Sequence, residues 1–207
     1  KKVIQYASRD AVQYARRWGL SRNRAYNDFT KGGGDCMNFV SQCLYAGGLP
    51  FKNNGFEWHG LRGGSSFSWR GVDSFLKQLK NYQQFGSPRL EFSCEETTES
   101  LKAGDLVFTV AEGVPGDIER NPSHVAILSR DYADRGQLVV CGHTVDQLDA
   151  VKRRDDTRCT YSHIEQIAFD LSAEDYADER DRVTAGYELG ERILKRRAAQ
   201  DSRVKRL

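Results

Sequence analysis

The sequence predicts an α+β domain in which N-terminal helices pack on an antiparallel sheet. Before residue 80 the apolar residues recur at helical spacing; after residue 101 they gather into short runs bounded by turn residues. Helices first and strands later is the order of an α+β fold. A chain of 207 residues, 39% apolar and 29% charged, is long enough to bury a core of its own.

Val3, Ile4, Ala7, Ala11, Tyr14, Ala15 and Trp18 make one helical stripe that ends near Gly19. A polar stretch with Tyr26 and Phe29 leads into Lys31-Gly32-Gly33-Gly34-Asp35, and a second helix starts at Cys36 with Phe39, Val40, Cys43 and Leu44 on its buried face. Ala46-Gly47-Gly48, with Pro50 beyond, stops it. Residues 51–70 read as an irregular segment rich in glycine, serine and aromatics, the makeup of a cleft wall or of a loose cover over the core. Val72, Phe75, Leu76 and Leu79 predict a short helix. Lys102-Ala103-Gly104-Asp105 turns the chain into a strand over 106–110, and 111–122 is an exposed loop. Strands at 124–129 and 137–141 are joined by a turn through Asp134, Arg135 and Gly136, and a last strand or short helix lies near 164–171. Beyond Leu171 most residues are charged, with a thin stripe of Tyr176, Val183, Tyr187 and Leu194 behind the capping pattern Ser172-Ala173-Glu174-Asp175. The chain therefore divides into a domain over 1–171 and a charged helical tail over 172–207. The tail is read as packed on its own domain, with self-association as the other use of its stripe.

A net charge of +2 gives no field for a general polyanion, and acidic residues border the basic cluster Lys195-Arg196-Arg197, so nucleic acid is not an expected partner. No apolar run is long enough to span a membrane. The chain starts at Lys1 without methionine, as expected of a processed or trimmed protein, so the lack of an export signal carries no information on location. Five cysteines with no CxxC pair argue against structural zinc, and no metal or cofactor is expected. One reactive thiol plus up to two disulfides, such as Cys141–Cys159, fits an exported protein; five free thiols fit a cytosolic one.

Most cysteines are small core residues, the reading given to Cys43. Cys36 differs in its surroundings. Asp35 is placed to cap the helix, its carboxylate accepting from the first-turn amides. A thiol in that turn feels the positive end of the helix dipole, which favours the thiolate. The three glycines upstream leave a groove where a substrate backbone can lie against the sulfur. Of four histidines, His59 and His163 read as surface residues, whereas His124 opens one strand and His143 follows the next. If those strands are antiparallel neighbours, both imidazoles reach the same edge of the sheet. His124 is then the general base, and His143 or Asp146 orients it. The Cys36 amide, with a neighbouring donor, faces the oxyanion.

Gly33-Gly34-Asp35-Cys36-x-Asn38-Phe39-Val40-Ser41-Gln42, followed by Ala46-Gly47-Gly48-Leu49-Pro50, resembles the signature of the bacterial Putative amidase domain family, a branch of the NlpC-type papain-like hydrolases. Ser68-Trp69, Gly104-Asp105-Leu106-Val107, Ser123-His124-Val125-Ala126-Ile127 and His143-Thr144-x-Asp146 follow in matching order. The resemblance spans residues 10–150 and implies a papain-like core with Cys36 as nucleophile and His124 as base. The third position falls on His143, with Asp146 as competitor; Tyr26, Asp35 and Trp69 are carried as orienting or substrate-side residues. It also implies an exported enzyme that cuts amide bonds in peptidoglycan peptides. Two other readings are a non-catalytic wall- or glycan-binding module using 51–70, and a cytosolic cysteine protease or effector acting on proteins.

Overall fold

Val3 and Ile4 do not continue the first helical stripe, as their spacing predicts. They lie in a strand, β1 (Lys2–Gln5), paired antiparallel with residues 166–169 far along the chain. Branching at Cβ suits both residues to that pairing. The computed structural model describes residues 2–49, 52–53, 56–62, 64–84, 90–95, 99–110, 122–134, 136–152 and 159–169. The predicted loop over 111–122, apart from its last residue, and the predicted tail over 172–207 lie outside them.

Two helices follow β1, α1 (Ser8–Trp18) and α2 (Cys36–Ala46). The stop predicted after Ala46 is observed: the Gly47 amide donates to the Cys43 carbonyl and Gly48 turns with φ 107°. The segment expected to be irregular holds two small hairpins, β2 (Lys52–Asn53) with β3 (Phe56–Glu57) and β4 (Gly60–Leu61) with β5 (Gly64–Ser65). Two helices close that region, α3 (Phe67–Arg70) and α4 (Val72–Gln84). The strands β6 (Leu90–Glu95), β7 (Leu106–Thr109), β8 (His124–Leu128), β9 (Leu138–Gly142), β10 (Gln147–Lys152) and β11 (Cys159–Phe169) complete the domain.

The main sheet has the order β1-β11-β7-β8-β9-β10, with β6 also on β11, and every pairing is antiparallel. Fold class and helix-on-sheet layering are thus as the sequence predicts. Alternation along the strands divides the core in two. Leu106, Phe108, Val125, Ile127 and Cys141 face α1 and α2, where they meet Trp18, Phe39, Val40, Cys43 and Leu44. Val107, Ala126, Leu128, Leu138 and Val140 face the other way, against Leu101 and Tyr132. α2 is buried almost all round, as a helix sandwiched between α1, α3 and the sheet must be.

Candidate active site

Cys36 is the first residue of α2 and is 8% exposed. The chain reaches it through Gly33 and Gly34, with φ values of 103° and 118°, a conformation that side chains with a Cβ rarely adopt. A side chain at Gly34 would also press on the Thr144 hydroxyl, 3.2 Å from its Cβ position. That hydroxyl accepts the Asp35 amide at 3.2 Å, and Thr144 holds it there from an unusual φ of 85°.

Asp35 occupies the cap position, but its side chain makes no capping bond. It is fully buried and spent elsewhere. Oδ1 accepts from the Phe29 amide at 3.0 Å and from Asn38 Nδ2 at 2.8 Å; Oδ2 meets His143 Nδ1 at 2.7 Å and Arg22 Nε at 3.1 Å. Three hydrogen-bonding groups and the charge of the Arg22 guanidinium, whose Nε–H donates to Thr30, converge on one carboxylate because a buried charge needs partners. The expected cap gives way to this stronger demand, and the carboxylate leaves the first-turn amides of α2 beside the sulfur.

His143 follows β9 and is buried, stacked on Phe39 with ring centroids 3.9 Å apart. Its Nδ1 meets Asp35 and its Nε2 meets the Trp18 carbonyl at 2.9 Å. Both neighbours are acceptors, so the two ring nitrogens are committed to α1 and to the cap residue. Asp146, the other candidate orienter, engages Arg22 in a two-pronged pair at 2.8 and 3.1 Å. That bond, the first cause, holds the Asp146 carboxyl below the usual carboxylate range.

β8 and β9 are antiparallel neighbours, as the histidine argument requires, with Ile127 opposite Cys141. That register puts His143 beside Val125, in phase with the residues facing α2. His124 pairs with Thr109 and alternates in phase with Ala126 and Leu128, which face away from α2. The two imidazoles thus share an end of the sheet and differ in phase. Burial, with the charge of Lys152 adding to it, pushes the His124 imidazole down to about 4. His124 is therefore neutral at neutral pH, the form that accepts a proton.

The same displacement affects folding. His124 is harder to protonate in the folded chain than in the unfolded one, so its contribution is fully present above the unfolded value and is lost as pH falls toward 4. Between about pH 7 and 5 the domain should lose roughly 2 kcal/mol through this group. Urea unfolding at both pH values should show that loss in the wild type and a much smaller one in His124→Gln.

Tyr26 and Trp69 are core residues. Trp69 is fully buried and donates to Asn38 Oδ1 at 2.8 Å, while Tyr26 is 7% exposed and stacks on Trp69 at 5.7 Å. The rest of the long motif supports α2. Ser41 donates to the Trp69 carbonyl and accepts from Trp58, and Gln42 accepts from Tyr14, which accepts from Asn23. Gly60 was not singled out by its sequence context, yet a Cβ there would lie 2.0 Å from the Trp69 ring.

Cys43 and Cys141 are buried free thiols, both pushed up chiefly by burial. The bond suggested between Cys141 and Cys159 is not formed: β9 and β11 are separated by β7 and β8. Three strand spacings, about 14 Å, exceed what a disulfide spans. His59 is half-buried and His163 lies on β11. Among the described residues no group of three or more His, Cys, Asp or Glu is gathered as a metal site, and no helix is long and apolar enough to cross a membrane.

The chain is thus an antiparallel α+β domain with a glycine-fed cysteine opening a buried helix and with two histidines at the adjoining sheet end. The family profile described as Putative amidase domain matches residues 5–171, and the chain belongs to that family. Membership suggests an amidase-type hydrolase. The chain is also 34% identical over 115 residues to the uncharacterized protein YhbB of Bacillus subtilis (strain 168), a match covering 54% of this chain and 35% of that protein. The matched part thus spans about a third of the length of this curated relative. No solved structure matches the chain.

Proposed function

We propose that this domain is a cysteine-dependent hydrolase of amide bonds in peptidoglycan peptides, working outside the cytoplasm at the cell wall. Cys36 attacks the carbonyl carbon, and a histidine at the adjoining sheet end, His124 by the motif resemblance, takes the thiol proton and returns it to the leaving amine. Water then hydrolyses the thioester. The oxyanion formed in both steps is met by the Cys36 amide and a neighbouring donor. The observation that carries the reading is the start of α2. A thiol sits there as the first helical residue, and the Asp35 carboxylate is turned away from the first-turn amides toward His143 and Arg22. Family membership supplies the amidase chemistry; the papain-like ancestry and the wall substrate are inferred from the motif resemblance.

One observation favours a second assignment of the base. His143, not His124, is in phase with the α2 side of the sheet and stacks on Phe39, one turn along from Cys36. In that reading His143 gives up the Trp18 carbonyl to receive the thiol proton.

Purified peptidoglycan digested with wild type and with Cys36→Ala, then resolved by mass spectrometry, tests the function. Fragments with new amino termini are expected from the wild type alone, and their masses identify the bond. Equal release by both proteins would remove Cys36 from the reaction.

A further inference from the structure

We propose that Thr144 is a positioning residue for the nucleophile: its hydroxyl fixes the peptide that joins the glycine loop to Asp35, and so holds the start of α2 against the sheet end. This rests on the hydrolase reading above. The turn between β9 and β10 places residue 144 at φ 85°. Glycine adopts that conformation freely, and asparagine or aspartate adopts it more readily than a side chain branched at Cβ. Threonine stands there instead. It is exposed, so burial of its methyl group does not offset the strain. What its side chain gains is contact with the loop that leads to the cysteine. Oγ1 accepts the Asp35 amide at 3.2 Å and lies 3.2 Å from where a Cβ on Gly34 would stand. Gly34 is itself at φ 118°, so two left-handed residues face each other across the join between turn and loop.

The bond matters because of the peptides on either side of it. The Asp35 carbonyl accepts the Phe39 amide at 3.0 Å, which makes the peptide carrying the Cys36 amide the first unit of the helix. The preceding peptide, from Gly34 to Asp35, lies outside the helix. It follows two glycines at φ 103° and 118°, the residue type with the most backbone freedom. Thr144 gives that peptide its anchor. Next to it in the same turn, His143 meets the Asp35 carboxylate at 2.7 Å. A carboxylate bond alone leaves rotation about the side-chain torsions of Asp35; the second tie, on its main chain, removes that freedom. Two consecutive residues thus hold Asp35 by side chain and backbone, one residue before the sulfur. A shift of about 1 Å in a reacting group can cost roughly a hundred-fold in rate, which gives such a clamp its use.

The test compares the full chain as wild type, Thr144→Gly and Thr144→Ser by urea unfolding, hydrogen exchange of the Asp35 amide and hydrolysis of muropeptides. Thr144→Gly should unfold at the wild-type urea midpoint or above it, because relief of the φ outweighs one neutral hydrogen bond. Its Asp35 amide should nevertheless exchange about ten-fold faster or more. Its kcat should fall about ten-fold or more while KM stays within about two-fold. Thr144→Ser keeps the hydroxyl and should hold both the exchange rate and kcat within about three-fold of wild type. A turn residue with no bearing on the nucleophile predicts that the glycine variant gains stability and keeps its kcat, and that result would overturn the proposal. So would an unchanged Asp35 exchange rate, a lowered midpoint for Thr144→Gly, or a folded Thr144→Ser that loses kcat. If the wild type releases no product while Asp35 exchange follows the hydroxyl, the hydrolase reading alone fails. If the wild type hydrolyses and Thr144→Gly matches it, the positioning assignment alone fails.

Discussion

His124→Ala should slow hydrolysis by about two to four orders of magnitude, the usual worth of a positioned general base. The imidazole is held to about 4 by burial and by Lys152, so it stays unprotonated throughout the neutral range. Below that value it is protonated and cannot accept the thiol proton. The acid limb of kcat/KM should accordingly fall near pH 4, not near the ordinary histidine value of about 6.5. His143→Gln provides the comparison, because its amide can still donate to Asp35 while offering no basic nitrogen. If His124→Ala keeps its rate within about ten-fold while His143→Gln, still folded, loses the reaction, the base is His143 and the second assignment stands. Alkylation of Cys36 across the same pH range reports the thiol itself and should follow whichever histidine carries the proton.

What the sequence revealed and what it concealed divide along local and distant contacts. α2, β7, β8 and β9 are written in short-range spacing, and their ends fall at glycines and turns that any reading can find. β1 is not, because Val3 and Ile4 fit the stripe of α1 by spacing and become a strand only through β11. β10 hides for another reason. It is an edge strand whose register shifts between Gln147 and Ala150, and Val151 is 57% exposed, so it lacks the alternation of a half-buried strand. The site divides in the same way. Cys36 and its glycines are legible because they are consecutive. The destination of Asp35 is not, since its partners come from positions 22, 29, 38 and 143. Arg22 belongs to no motif of the sequence, yet in the fold it ties the segment before the glycine loop to the turn after β9. Gly60 leaves no trace in the sequence, because its constraint is the face of a tryptophan nine residues away.

Asp35→Asn should cost nearly as much stability as Asp35→Ala, about 3–5 kcal/mol, although it keeps the size and shape of the side chain. Each carboxylate oxygen serves two groups: the Phe29 amide and Asn38 donate to one, and the other bonds His143 beside the Arg22 guanidinium. An asparagine must place its NH₂ against one of those pairs, and neither flip escapes donor facing donor. One flip opposes the Arg22 guanidinium and the buried imidazole; the other opposes the backbone amide that shapes the loop before the glycines. Alanine removes the clash but leaves the same donors buried without a partner. Urea unfolding of the three proteins at neutral pH measures both losses, and the asparagine and alanine midpoints should fall close together. A loss below about 1 kcal/mol for asparagine would mean that the carboxylate does not hold these four groups at once. Activity per folded molecule should fall as well, since this carboxylate, on the residue preceding Cys36, holds His143. With that link gone, the start of α2 is held less firmly to the sheet end where the histidines stand, through the Asp35 amide on Thr144 and the Phe39–His143 stack.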